Sequence, residues 1–183
     1  MFLGAAAVLG LLLAGGILSF NRFVRERNHA REAWSNVDSE LRRRYDLIPN
    51  LVEVVQGYAA HERVTLEAVI RARAVAAEDR GTPGHQAESE RSFVRSLREL
   101  LALAESYPDL KASEHFTRLQ DQLVETEDRI QLARRIYNAN VRDLNRRVQS
   151  FPSNVVAAAV GIREVEYFEV DDAVRGAPSA RAA

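Results

Sequence analysis

The four histidines are the residues best suited to metal chemistry, and one of them opens a known ligand spacing. His61-Glu62 begins like the H-E-x-x-H motif, in which two histidines one helical turn apart bind zinc. Position 65 is a threonine, so the second ligand is missing. The remaining histidines have no cysteine and no second histidine at ligand spacing: His29, His85 and His115. We therefore predict no metal site.

Two further patterns bear on catalysis. Residues 81–84 (GTPG) lack the lysine and the following hydroxyl of a phosphate-binding loop, and a turn between helices explains their glycines. Asp46 and Glu127 are carboxylates that a hydrolase could use as a pair, but the sequence has no nucleophile motif of the G-x-S-x-G type. We predict a protein without catalytic residues and without a cofactor. A hydrolase is the least favoured alternative.

Composition narrows the remaining classes. The chain has 183 residues, a net charge of -1 and no cysteine. The absence of cysteine excludes disulfides and thiolate chemistry. The balanced charge argues against long-range electrostatic capture of nucleic acid, so we predict no nucleic-acid partner.

Helices must position any functional residues, because apolar residues step by three and four along two long stretches, as on the seam of a coiled coil. Pro49 lies inside the first stretch and favours a kink or break near Asp46, since it lacks a backbone donor. The seam keeps its register beyond Pro49, which favours one unbroken helix. It continues less cleanly through Leu66. Its clearest positions are Ala30, Trp34, Val37, Leu41, Tyr45, Ile48, Val52, Val55 and Ala59.

The second stretch is the most regular pattern in the chain and predicts a helix of roughly 60 Å. Residues 76–89 read as a loop, a shorter helix follows and stops at Tyr107-Pro108, and Asp109 can cap the long helix. We therefore predict an all-α, antiparallel up-and-down helical bundle. The seam positions of the long helix are Phe116, Leu119, Leu123, Thr126, Ile130, Ala133, Tyr137, Val141, Leu144 and Val148.

An uncharged stretch over residues 2–20 (FLGAAAVLGLLLAGGILSF) would span roughly 28 Å as a helix, close to the hydrocarbon thickness of a bilayer. We predict a transmembrane anchor over residues 1–21. A cleaved signal is a weaker interpretation because Met1 alone precedes the run, and a buried core helix would show a polar face. Arginines cluster after the run, so the positive-inside rule predicts a single-pass cell-membrane protein with a cytoplasmic bundle: Arg22, Arg25, Arg27 and Arg31.

The chain thus divides into the anchor at 1–21, a bundle at 22–169 and a tail at 170–183. The tail is predicted to be disordered, because small, polar and proline residues prevail there. Val155 to Ile162 is apolar but too short to cross a bilayer, and Ser153 or Asn154 would cap a short helix there. This run either packs on the bundle or rests on the membrane surface, and we favour packing. With an outgoing first helix, a returning second and an outgoing third, we expect it at the end of the bundle far from the membrane. A first helix split at Pro49 would instead give four helices and bring Phe151 near the bilayer.

Several spaced motifs resemble those of the LemA family of bacterial membrane proteins, and they occur in the same order. The resemblance runs from about residue 25 to residue 169. Its main motifs are residues 44–52 (RYDLIPNLV), 57–62 (GYAAHE), 107–112 (YPDLKA), 133–138 (ARRIYN), 151–154 (FPSN) and 166–168 (EYF).

The resemblance implies a membrane helix followed by a helical bundle, and it brings no enzyme activity. The family includes magnetosome-membrane proteins, and its members are often encoded beside membrane-embedded zinc proteases. We therefore expect a non-catalytic, membrane-anchored scaffold or adaptor that binds a protein partner, such as a membrane-embedded zinc protease, or its own copies as a homo-oligomer. An accessory factor of such a protease and a membrane-shaping protein are the alternatives.

Six polar residues are the candidate site residues; five lie within these motifs, and the sixth, Asn145, is a matching position between two of them. One interpretation makes them a partner-binding patch. The other makes them helix caps and inter-helix hydrogen bonds that fix the register of the bundle, because a buried amide or charge must be paired. We favour the second interpretation. The six are Arg44, Asp46, Asn50, Asn138, Asn145 and Asn154.

Overall fold

The computed structural model describes residues 2–170, and every regular element in that part of the chain is a helix. The all-α prediction is confirmed. The tail predicted to be disordered lies outside the described residues from position 171 onward. The helices are α1 (Phe2–Tyr58), α2 (Arg63–Glu78), α3 (Pro83–Ala104), α4 (Pro108–Lys111), α5 (Glu114–Gln149) and α6 (Ser153–Ala159).

Helix α1 passes through Pro49 without a break near Asp46. Proline has no backbone N–H, so the carbonyl of Tyr45, four residues earlier, loses its helical partner. The side chain of Arg73 on α2 supplies a substitute, because its Nε donates a hydrogen bond to that carbonyl at 3.2 Å. This donor from a neighbouring helix compensates for the proline and explains why α1 continues.

Three helix boundaries differ from the sequence-based expectations. Helix α1 ends at Tyr58, immediately after Gly57, instead of continuing through Leu66; glycine is a poor helix former, and the chain reverses there. The loop predicted over 76–89 shrinks to residues 79–82. Asp109 lies within α4 and does not cap the long helix, which begins after Ser113.

The short loop before α3 follows from local capping. The hydroxyl of Thr82 accepts a hydrogen bond from the backbone N–H of His85 at 3.4 Å, and Pro83 occupies the first turn, where its missing donor has no consequence. These residues start α3 several positions earlier than its apolar pattern indicates.

The helices alternate in direction, as predicted. Tyr107, just after α3, donates a hydrogen bond to Glu62, just before α2, at 3.4 Å. Near the N-terminal end of the bundle, Nε of Arg147 on α5 lies 2.8 Å from Oε2 of Glu26 on α1. Helix α1 therefore leads out, α2 returns, α3 leads out again and α5 returns along α1.

Helix α6 lies at the end of the bundle next to the apolar segment of α1, so the far-end position predicted for residues 155–162 is wrong. Phe23, which follows the apolar run, is buried in a cluster with Leu144 of α5 and Ala157 of α6. The extra reversal at residues 59–62 explains the error, because it makes the number of long helices even and returns α5 to the start of α1.

The number of helices that pack together changes along the bundle. In the half far from the apolar segment, α1, α2, α3 and α5 surround a shared apolar core. Next to the apolar segment, α1 and α5 pack with α6 in a separate small cluster that contains no residue of α2 or α3. Between the two clusters the segment 162–170, which we call the strap, lies along α5 and supplies the buried side chain of Phe168 to the shared core.

A glycine turn connects α6 to the strap. Gly161 adopts a φ of 70°, in the left-handed region that glycine tolerates best. The backbone N–H of Ile162 donates to the carbonyl of Ala157 at 2.9 Å, and that of Gly161 donates to Ala158 at 3.4 Å. These two bonds form a Schellman motif, which ends α6 and redirects the chain along the bundle.

The N-terminal part of α1 is apolar and does not pack into the bundle. Within the described residues, α1 is the one helix with a segment long and apolar enough to cross a membrane, and none of the residues whose burial is described in that segment is fully buried in the protein. Its side chains include the exposed Leu11 and Leu18.

The start of α6 also differs from the expectation. Ser153 and Asn154 do not cap this helix, because the residue at its N-cap position is Pro152.

Candidate functional site

Arg44 is the centre of a buried ion cluster that joins three helices. Only 3% of its surface is exposed. Its guanidinium donates to Glu127 on α5 at 2.7 Å and to Glu90 on α3. The hydroxyl of Tyr45 donates to the other carboxylate oxygen of Glu90, and Gln86 donates to that hydroxyl at 3.2 Å. The cluster therefore fixes how α1, α3 and α5 meet.

Burial dominates the electrostatics of this cluster. It raises the pKa of Glu90, and the nearby Glu127 adds to the rise, while the Arg44 guanidinium and the Tyr45 hydroxyl oppose it. Burial also raises the pKa of Tyr45, with the charge of Glu90 reinforcing the effect, so this hydroxyl remains a protonated donor. A buried cation that serves two carboxylates is costly to remove, since it would leave uncompensated charge behind.

The space beside the cluster is too small for a substrate. Its cavity, lined by Arg44, Glu127 and Gln131 among others, offers about 10 Å³ to the centres of water molecules, which is room for about one water. Asp46 does not join Glu127 as a carboxylate pair: it is exposed beside Arg73, with 3.9 Å between Oδ1 and Nη2. The arrangement can position helices, and it provides no place for a reacting molecule.

A second group of polar residues, His85, Ser89 and Asp79, has the composition of a catalytic triad at the start of α3. Nδ1 of His85 lies 2.8 Å from Oδ2 of Asp79, and the Ser89 hydroxyl donates to the same oxygen at 2.5 Å. Among the described residues, no hydrogen bond joins Ser89 to His85, so the imidazole is not placed to take the serine proton. Asp79 also accepts from the N–H of Gly81 at 2.8 Å, as a turn-capping residue does.

Asn138 and Asn145 on α5 hold the strap by its backbone. Asn145 donates to the carbonyl of Val165 at 2.9 Å and accepts from the N–H of Val165 at 2.8 Å. Asn138 makes the same pair of bonds with Phe168, at 3.0 and 2.9 Å. A carboxamide offers one acceptor and donors side by side, so each asparagine takes the place of a neighbouring β-strand.

The distance between the two asparagines along α5 matches the distance between the two strap residues that they bind. Seven residues of α-helix rise about 10.5 Å and return to nearly the same face. The strap covers the same distance with three residues, from Val165 to Phe168, and three residues of extended chain span about 10 Å. The strap is therefore extended and runs antiparallel to α5, and a shift of one residue would break all four bonds.

Aromatic side chains of α1 and α5 also contact the strap. The ring centre of Phe168 lies 5.3 Å from that of Trp34 on α1, which lies 5.1 Å from that of Tyr137 on α5. The Tyr137 hydroxyl donates to the carbonyl of Glu166 at 2.7 Å. Burial raises the pKa of Tyr137 to about 12, so this donor keeps its proton at physiological pH.

The six candidate residues therefore lie in separate places. Arg44 is in the ion cluster, and Asn138 and Asn145 bind the strap. Asp46 and Asn50 lie on the surface of α1. Asn154 lies on α6, where its Oδ1 is buried without a hydrogen-bond partner in the described part of the chain.

Sequence reasoning missed Glu90, Gln86 and the strap. Glu90 did leave a signal, because it occupies the apolar face of α3 between Ala87 and Leu97, where a charge requires a buried partner. The strap left no periodic signal, although its residues 166–168 are among the motifs that resemble the LemA family.

Known proteins with similar sequences point to one family. "Magnetosome protein MamQ 2" of Paramagnetospirillum magneticum is 26% identical over 178 residues, covering 84% of this chain and 65% of the relative. "Magnetosome protein MamQ" of Magnetospirillum gryphiswaldense is 25% identical over 177 residues, with coverages of 83% and 65%. This chain thus spans about two thirds of the length of these magnetosome relatives.

A relative of more similar length is "Protein LemA" of Metamycoplasma hominis, which is 26% identical over an alignment of 178 residues, with coverages of 92% of this chain and 80% of the relative. The LemA family itself matches residues 33–181, a range that includes the ion cluster and the strap. The resemblance seen in the motifs is therefore confirmed, and this chain belongs to the LemA family.

Proposed function

We propose that this protein is a membrane-anchored, non-catalytic scaffold that holds a protein-binding surface at a fixed distance from the bilayer. The supporting observation is that α1 is a single helix from the apolar segment to the far end of the bundle. From Phe23 to Tyr58 it extends about 54 Å, at about 1.5 Å per residue. Because no flexible linker separates the apolar segment from the bundle, an anchored segment would set the orientation of the whole bundle.

The interior supports a scaffold better than an enzyme. The buried charges are used to join helices, and the cavity beside Arg44 has room for about one water. The arginines that follow the apolar segment favour a bundle in the cytoplasm and a single span in the cell membrane.

A groove between α1 and α5 is the binding surface that we favour. Its volume is about 230 Å³. Leu132 and Ile136, which line it, are 53% and 48% exposed, although they are large apolar residues. Ala33 and Asn36 form the opposite wall. A groove of this kind suits the apolar face of a helix from a protein partner or from a second copy of the chain. A membrane-embedded zinc protease is the candidate partner class.

The anchor is tested by comparing the full chain with a variant that lacks residues 2–20. We expect the full chain to remain in the membrane fraction after a high-salt wash, and the variant to be soluble with its helical circular dichroism retained. A washed variant that stays on the membrane would refute the anchor.

The binding surface is tested by crosslinking in native membranes. The chain has no cysteine, so Leu132→Cys introduces a unique thiol in the groove, and Arg118→Cys is an exposed control elsewhere on α5. We expect a specific crosslinked product from position 132 that Ile136→Arg abolishes. Equal products from both positions would contradict a role for the groove.

A further inference from the structure

Phe151 and the exposed side of α6 form an apolar patch without a partner in the structure. No charged residue occurs from Phe151 to Ile162. Phe151 is 82% exposed and Val155 59% exposed. Ala157, on the opposite side of the short helix, packs against Phe23 of α1. Large apolar side chains exposed side by side usually mark a contact surface.

The patch lies next to the end of the apolar segment of α1. Phe23 follows Phe20, the last residue of that segment, by about 4.5 Å of helix rise. Through Ala157 and Phe23, helix α6 packs on α1 directly after the apolar segment ends, so its exposed apolar side chains lie close to that end.

Several arginine side chains lie near the end of the apolar segment, where α6 packs on α1. Arg22 and Arg25 on α1 and Arg163 after α6 are exposed. Arg147 lies over the ring of Phe23, with 5.9 Å between the guanidinium carbon and the ring centre, and it pairs with Glu26. An apolar patch bordered by arginines has the chemistry of a surface that enters the boundary between lipid headgroups and acyl chains.

We propose that α6, together with Phe151, is a second membrane contact that inserts into the bilayer interface beside the anchor. This inference rests on the proposed function, because it requires residues 2–20 to span the same bilayer. The position of α6 directly after the apolar segment and the exposed arginines beside it favour lipid over a second protein as the occupant. Two adjacent contacts would restrain the tilt and rotation of the bundle, which a single helix leaves free.

Site-specific fluorescence quenching in the full chain tests this contact. A single cysteine replaces Val155 and carries an environment-sensitive fluorophore, and the chain is reconstituted into vesicles that contain phosphatidylglycerol and nitroxide-labelled lipid. Val64→Cys is the matched control, because Val64 is an 84% exposed valine at the far end of the bundle. Leu11→Cys reports on the anchor in a parallel sample.

We expect strong quenching at positions 155 and 11 and none at position 64, with shallow nitroxides more effective than deep ones at position 155. Quenching at 11 but not at 155 would overturn the second contact and leave the anchor standing. No quenching at 11 would overturn both. Protection of position 155 from an aqueous quencher without lipid quenching would indicate a protein contact, and it would also overturn the proposal.

Discussion

The bond from Arg73 to the carbonyl of Tyr45 gives a sharp test of how α1 tolerates Pro49. Replacing Arg73 with methionine keeps much of the apolar stem of the side chain and removes every donor. In the natural sequence the Tyr45 carbonyl then has no donor, because Pro49 has no N–H to offer. In a Pro49→Ala background, the new alanine N–H bonds to that carbonyl in the ordinary helical way.

The expected magnitude follows from the burial of this site. Tyr45 is buried, and leaving a buried acceptor unsatisfied costs roughly 1–3 kcal/mol. The other polar contact of Arg73 is with Asp46, whose side chain is 79% exposed, and such an exposed pair is worth about 0–1 kcal/mol. That smaller loss is the same in both backgrounds. Arg73→Met should therefore cost about 1–3 kcal/mol more with Pro49 than with alanine at that position.

The assay is a double-mutant cycle on the full chain in detergent micelles. Unfolding is followed by circular dichroism for the natural protein, for each single variant and for the double variant. A stability change of 1 kcal/mol shifts the melting midpoint of a domain of this size by roughly 2–4 °C, so the coupling is measurable.

Additivity would refute the reasoning. If Arg73→Met lowers the free energy of unfolding equally in both backgrounds, Arg73 acts through Asp46 or through packing, and the continuity of α1 needs another explanation. A break of α1 in the Arg73→Met variant would support the argument in its strongest form.

Three further predictions concern the ion cluster and the strap. Arg44→Met should cost about 3–5 kcal/mol, because it removes the cation paired with the buried Glu90 and the partly buried Glu127, whereas Arg42→Met removes an exposed ion pair and should cost less than about 1 kcal/mol; equal shifts in denaturant midpoint would contradict the buried cluster. The pKa of Glu90 is raised on folding, so the folded state binds more protons above the ordinary carboxyl range, and the stability that Glu90 contributes at low pH is lost as pH rises through the folded pKa. Glu90→Gln should therefore flatten the fall in unfolding free energy with rising pH, and an unchanged pH profile would count against the raised pKa. Asn145→Ala removes both bonds to Val165, so hydrogen exchange of the strap should accelerate and stability should drop by about 1–3 kcal/mol; unchanged exchange would show that the asparagines do not hold the strap.

Much of the fold could be predicted because its signals are local. The apolar steps from Phe116 to Val148 predicted α5 closely, since helical periodicity depends on residues within a few positions of one another. Residues 2–20 likewise indicated a membrane-length apolar helix by composition alone. Register across Pro49 correctly favoured a continuous helix, although the sequence could not identify Arg73 as the compensating donor.

The direction of the chain and the composition of the site depended on contacts between distant residues. Sequence periodicity continued past Tyr58, so the reversal at residues 59–62 was missed, and with it the return of α6 to the start of the bundle. Arg44 was singled out from a motif, but its partners Glu90 and Glu127 are remote in the chain and share no local pattern with it. The roles of such residues are set by packing, because a buried charge acquires its function from whichever group the fold brings beside it.

The strap shows the same division most clearly. The sequence determined that Asn138 and Asn145 lie on one face of a long helix, two turns apart. Only the tertiary structure decided that these two side chains hydrogen-bond to the backbone of Val165 and Phe168. Backbone groups are identical along any chain, so the amino-acid sequence carries no mark of which extended segment two carboxamides will bind.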